Sequence, residues 1–180
     1  INLDLAVNDP LGAGALTREL RAEDVSLQPY RPMLVGMERL EGDLTGNVQI
    51  TGTTAAPDLQ GQLGLRGIGV SGPDIPVDIQ GGELVVSFDG EQGDIDGYLA
   101  AERGRLEITG DAYWPSGDDW RIGVDLNAVQ EPILVVLPQF GRLEVAPDLR
   151  IRVTPEMLQV RGDVNLPWAR LEIGDMPSSA

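Results

Sequence analysis

Apolar and polar residues alternate with a period of two along most of this 180-residue chain. That period belongs to β-strands with one covered and one wet face, so the chain reads as all-β. Leu44, Gly46, Val48 and Ile50 alternate with Asp43, Thr45, Asn47, Gln49 and Thr51, and Leu59, Gly61, Leu63 and Leu65 alternate with Gln60, Gln62 and Arg66. Ile75, Val77 and Ile79 follow, then Leu84, Val86 and Phe88, then Ile95, Gly97 and Leu99. Leu106, Ile108, Gly110 and Ala112 repeat the pattern, as do Trp120, Ile122, Val124, Leu126 and Ala128. The C-terminal part adds Leu143 and Val145, then Leu149, Ile151 and Val153, then Leu158, Val160, Gly162, Val164 and Leu166, and finally Ala169, Leu171 and Ile173. Counted with Ile1–Val7, the pattern predicts roughly a dozen short strands.

Asp89-Gly90, Ser116-Gly117, Ala146-Pro147-Asp148 and Thr154-Pro155-Glu156 carry turn chemistry. Short connectors between like strands predict antiparallel neighbours, hence a meander. Within 9–24, Asp9 is a candidate cap and Pro10 a candidate first residue of a short helix carrying Leu16 and Leu20, which Gly12 and Gly14 weaken. Residues 25–40 and 129–140 read as irregular apolar connections. A loose unit (apolar, any, Gly, any, apolar, any, apolar) surrounds Gly46, Gly61, Gly97 and Gly162 with no fixed period. Its irregular spacing excludes a helical solenoid or a propeller and predicts one sheet extended strand by strand. Ile1 without an initiator Met and the tail Ser178-Ser179-Ala180 read as cut points, so 1–180 is expected to be one domain from a longer parent.

Composition narrows the chemistry. Without Cys there are no disulfides or thiolate metal sites, and without His the commonest general base and metal ligand is missing. The formal charge is −16, and the 13 basic residues are all Arg. That balance argues against nucleic acid and against docking on an anionic membrane surface, since both need a concentrated positive field. No apolar run approaches the ~18 residues of a spanning helix. Asp89–Asp96 has the look of an acidic calcium loop but lacks the alternating oxygen ligands and terminal Glu, and reads as a hairpin turn. The pairs Asp118/Asp119 and Glu102/Glu107 read as solvated strand face rather than glycosidase carboxylates. No catalytic constellation, cofactor motif or metal site is expected.

A sheet this wide cannot leave its apolar face in water, because each exposed aliphatic side chain forfeits on the order of 1.5–3 kcal/mol. A sandwich, a closed barrel and a trough with facing walls all satisfy that need. Aromatics are only 4% of the chain, and Gly46, Gly61, Gly67, Gly97, Gly110 and Gly162 fall on the apolar face by parity. They fit either an underfilled apolar space or bends in an ordinary sandwich. Pro167 inside Leu166-Pro167-Trp168-Ala169-Arg170 predicts an edge or a bulge, with Trp168 off the apolar parity.

Two segments carry a family resemblance. Gly52-Thr53-Thr54-Ala55-Ala56-Pro57-Asp58-Leu59-Gln60-Gly61, after Leu44-Thr45-Gly46-Asn47-Val48, resembles the recurring Gly-Thr…Pro-x-Leu-x-Gly unit of the TamB/AsmA-like bridge proteins. Leu143–Leu149 and Val160–Ile173, with the run Val164-Asn165-Leu166-Pro167-Trp168-Ala169-Arg170-Leu171, resemble the C-terminal domain of the TamB family. The resemblance is firmest over 41–174 and weakest over 1–40. It implies a strongly curved, mainly antiparallel sheet forming a taco-like open groove with an apolar interior. It also implies a periplasmic domain of an inner-membrane-anchored protein in a Gram-negative envelope, and a TamA-like outer-membrane barrel protein as partner. The implied role is outer-membrane biogenesis, either conducting phospholipid or holding hydrophobic client polypeptides. On this reading the groove is lined by Leu44, Val48, Ile50, Leu63, Leu65, Leu84, Val86, Phe88, Ile95, Leu99, Leu106, Ile108, Trp120, Ile122, Val124, Leu126, Leu149, Ile151, Val153, Leu158, Val160, Val164 and Leu166.

Overall fold

The computed structural model describes residues 2–4, 18–34, 36–116, 119–137 and 140–171. Eleven strands are present among them: β1 (Asn2–Asp4), β2 (Arg18–Ser26), β3 (Arg39–Gly52), β4 (Pro57–Ser71), β5 (Ile79–Gly90), β6 (Gln92–Ala101), β7 (Arg105–Ser116), β8 (Asp119–Asn127), β9 (Ile133–Leu137), β10 (Gly141–Val153) and β11 (Leu158–Leu171). All join one sheet in the order β1-β2-β3-β4-β5-β6-β7-β8-β10-β11, with β9 also on β10, and every neighbouring pair is antiparallel. The outer strands β1 and β11 do not pair, so the sheet is open. The meander read from short connectors is the observed topology.

Several local expectations are corrected. Arg18–Ser26 is strand, with Leu20 opposite Val48, so no helix runs through Leu20; Asp9, Pro10 and Leu16 lie outside the described residues. The helical element is instead a 3₁₀ turn at Gln28–Met33, inside the stretch expected to be irregular. Ile75 and Val77 belong to a loop rather than a strand, broken by Pro73 and Pro76. Ala146-Pro147-Asp148 is not a turn, because β10 runs straight through it. Pro147 is tolerated there because it sits between the last residue paired with β9, Val145, and the first paired with β8, Asp148. Its carbonyl still accepts from Ala128 N–H at 2.9 Å.

Residues 133–137 form β9 although their run Ile-Leu-Val-Val-Leu shows no alternation. Its two sides are both occupied. It pairs with Gly141–Val145 on one side. On the other, Leu134 N–H donates to Arg103 O at 2.9 Å and Val136 N–H to Pro76 O at 2.8 Å. Ile133, Leu134, Ala128 and Ala146 are buried near the junction of β8, β9 and β10. Ala22, Val48, Ile68 and Ile108 are the other buried apolar residues, and no large side chain among the described residues is completely enclosed. No helix of the described residues is long and apolar enough to cross a membrane.

Candidate functional site: one apolar sheet face

Antiparallel partners directly opposite one another share a face, so the pairing register assembles the site. One row crosses the sheet as Val25, Leu44, Leu65, Leu84, Gly97, Ile108, Leu126, Leu149 and Gly162. The next holds Ala22, Gly46, Leu63, Val86, Ile95, Gly110, Val124, Ile151 and Val160. A third holds Leu20, Val48, Gly61, Phe88, Gly93, Ala112, Ile122, Val153 and Leu158. No polar side chain interrupts these rows from β2 to β11. Ile50 opposes Leu59 at one margin, and Leu99 opposes Leu106. Val164 opposes Pro147. Leu166 falls in a bulge where β11 carries an extra residue opposite Glu144–Ala146, and Trp120 lies beside the register shift between Tyr113 and Ser116, outside the rows. Trp168 pairs with Glu144, off the face that bears Leu143, as its parity predicted.

Cover over this face is partial. Val48 is 3% exposed and Ile108 9%, but Ile122 is 42%, Val160 56% and Leu158 68% exposed. The glycines on it do not simply leave room. Gly46 and Gly61 flank the Asn47–Gln62 pair with φ of 136° and 130°. A Cβ at Gly46 would lie 2.1 Å from Gln62 O, and one at Gly61 2.1 Å from Asn47 O. These positions exist to let the two backbones bend against each other.

Trp114 is the residue that the strand pattern missed. It continues the parity of Leu106, Ile108, Gly110 and Ala112 onto the apolar face, and that continuation was the available signal. Its ring lies edge-on to Phe88, with centroids 6.3 Å apart and planes at 62°. Its Nε1–H donates to Pro57 O at 2.9 Å. Gly93 lies beneath, where a Cβ would come within 3.2 Å of Trp114 Cη2. The indole thereby roofs an apolar recess of about 190 Å³ among Val86, Phe88, Ile95, Ile122 and Val124.

The opposite face carries the charge. Arg66 pairs with Glu83, Arg105 with Glu107 and Arg150 with Asp125, all across or along strands in solvent. A hydrogen bond from Arg150 to Asp125, with their charge attraction, raises the guanidinium pKa above its ordinary value, so Arg150 stays cationic. Arg105 also stacks over the Tyr98 ring, its Cζ 3.5 Å from the centroid. These contacts lie on the charged face, opposite the apolar rows.

Comparison with known proteins agrees with the sequence resemblance. Residues 1–65 match the family model described as TamB, N-terminal domain, and residues 94–180 match the one described as TamB C-terminal domain. The N-terminal part, where the resemblance was weakest, thus has its own match. "Translocation and assembly module subunit TamB" of Haemophilus influenzae is 28% identical over 177 residues, which is 98% of this chain and 13% of that protein. The chain therefore spans a small part of the length of that relative. No solved structure matches.

Proposed function

Because the chain belongs to the TamB family, we propose that its sheet is a segment of an open, taco-like trough that holds lipid acyl chains in the periplasm. Family membership implies a role in the translocation and assembly module. The observation that carries the finer reading is the run of three uninterrupted apolar rows across β2–β8, β10 and β11, left half-open to solvent. Burying a chain there is worth on the order of 0.8 kcal/mol per methylene, so one chain gains several kcal/mol without a specific contact. Binding of that kind is unselective, which suits a conduit. The role is non-enzymatic, and the parent is anchored in the inner membrane and meets a TamA-like outer-membrane barrel protein.

Trp114 supports a curl toward the apolar face. In a flat sheet β4 and β7 stand three strand spacings apart, about 14 Å, yet the Trp114 indole reaches Pro57 O. The test is native mass spectrometry of lipids retained through purification, comparing the natural chain with Ile122→Asp and Val160→Asp. Both substitutions are at exposed positions, so folding survives and lipid retention falls. Undiminished retention in both sinks the reading.

A second reading has its own observation. β11 is the last strand of the described sheet, and every residue on it but Gln159 is exposed. An outer-membrane partner or a nascent barrel strand could pair with that edge by β-augmentation. Val164→Pro would then abolish partner binding while sparing lipid retention, whereas loss of lipid with partner binding intact favours the conduit.

A further inference from the structure

We propose that the recess beneath Trp114 seats the methyl end of a phospholipid acyl chain; this rests on the reading of the apolar face as a lipid-holding trough. The recess is walled by Val86, Ile95, Ile122 and Val124, with Phe88 beside Trp114 at the roof. At about 190 Å³ it exceeds the roughly 150 Å³ apolar cavity that accepts a benzene-sized guest. The roof is held in place. Nε1–H is committed to Pro57 O, and the edge-on contact with Phe88 fixes the ring plane.

The surroundings select hydrocarbon over polypeptide. β5, β6, β7 and β8 are interior strands, each paired on both sides, so their backbone groups are committed within the sheet. A peptide laid over them would bury N–H and C=O groups with no partner, whereas an acyl chain has none along its length. The rows through Ile95 and Ile122 run on without a polar break to Val160 and Leu158 on β11, where exposure is greatest. A chain entering there slides inward until its methyl end meets the indole. The headgroup stays near the β11 margin.

Trp114 reports on its own site. In Trp120→Phe/Trp168→Phe protein it is the sole indole, and bromine quenches indole emission only at contact. The protein is loaded from mixed micelles of phosphatidylcholine brominated either near the chain methyl or near the ester, with uptake counted by native mass spectrometry. Methyl-end bromine is expected to remove most of the Trp114 emission and ester-end bromine little of it. Ala112→Leu, which fills the recess, is expected to restore emission while lipid is still retained. Retained lipid with equal quenching by both probes, or with quenching by the ester-end probe alone, overturns the seat and leaves the trough reading standing. No retained lipid in either case overturns the trough reading and the seat with it.

Discussion

The interior strand β3 and the β11 end of the sheet carry the same alternation but not the same environment. Val48 on β3 is 3% exposed, while Val160 and Leu158 on β11 are 56% and 68% exposed. β3 has paired neighbours on both sides, whereas β11 has one. Period-two patterning therefore says which face is apolar but not how dry that face is at each strand. The half-dry margin is where an apolar ligand has surface left to cover.

Substitutions can break this comparison, and the largest effect is expected at Val48→Asp. A carboxylate there is buried with no partner, and about 3–5 kcal/mol of stability is lost. Val160→Asp at the open end should stay within about 0.5 kcal/mol, so urea midpoints of the pair would separate widely. Equal midpoints would mean that β3 is as wet as the edge. Trp114→Ala follows, costing about 2–4 kcal/mol through lost packing on Phe88 and Gly93. Trp168→Ala, at the margin, should cost about 1 kcal/mol or less.

The next contrast concerns bending. Gly46→Ala forces a Cβ onto Gln62 O and should cost about 1–3 kcal/mol, while Gly81→Ala, with open space around it, should change thermal stability by no more than about 0.5 kcal/mol. The smallest effect is expected at Arg103→Ala. The Arg103–Glu144 pair, 3.0 Å apart, ties the β6–β7 turn to β10, but it is a solvent-facing contact worth below about 1 kcal/mol.

Strand existence, antiparallel order and the face assignment of Leu44 through Val160 were legible because alternation is a direct consequence of the pleat. What escaped has physical reasons. β9 buries the successive residues Ile133 and Leu134, which point to opposite faces, so Ile133–Leu137 shows no alternation to read. Pro147 resembled a turn because its missing N–H matters only where a neighbour needs it, and β8 and β9 leave a gap there. Ile75 and Val77 alternate by chance in a loop broken by Pro73 and Pro76 that leads into Ile79, the first residue of β5. Gly46 and Gly61 fall on the apolar face by parity, but the close approach that puts a Cβ against the neighbouring strand's carbonyl arises only when β3 and β4 pair. The bond from Trp114 to Pro57 joins strands three places apart, which no local pattern encodes.

The absence of Cys allows one direct measurement of whether the apolar face is the working surface. An environment-sensitive fluorophore is attached at Ile122→Cys on the apolar face and, separately, at Arg121→Cys on the outer face, and phospholipid is added to each. The account predicts a blue shift at position 122 and none at position 121. Equal shifts at the two positions, or none at 122 while lipid is bound, would contradict it.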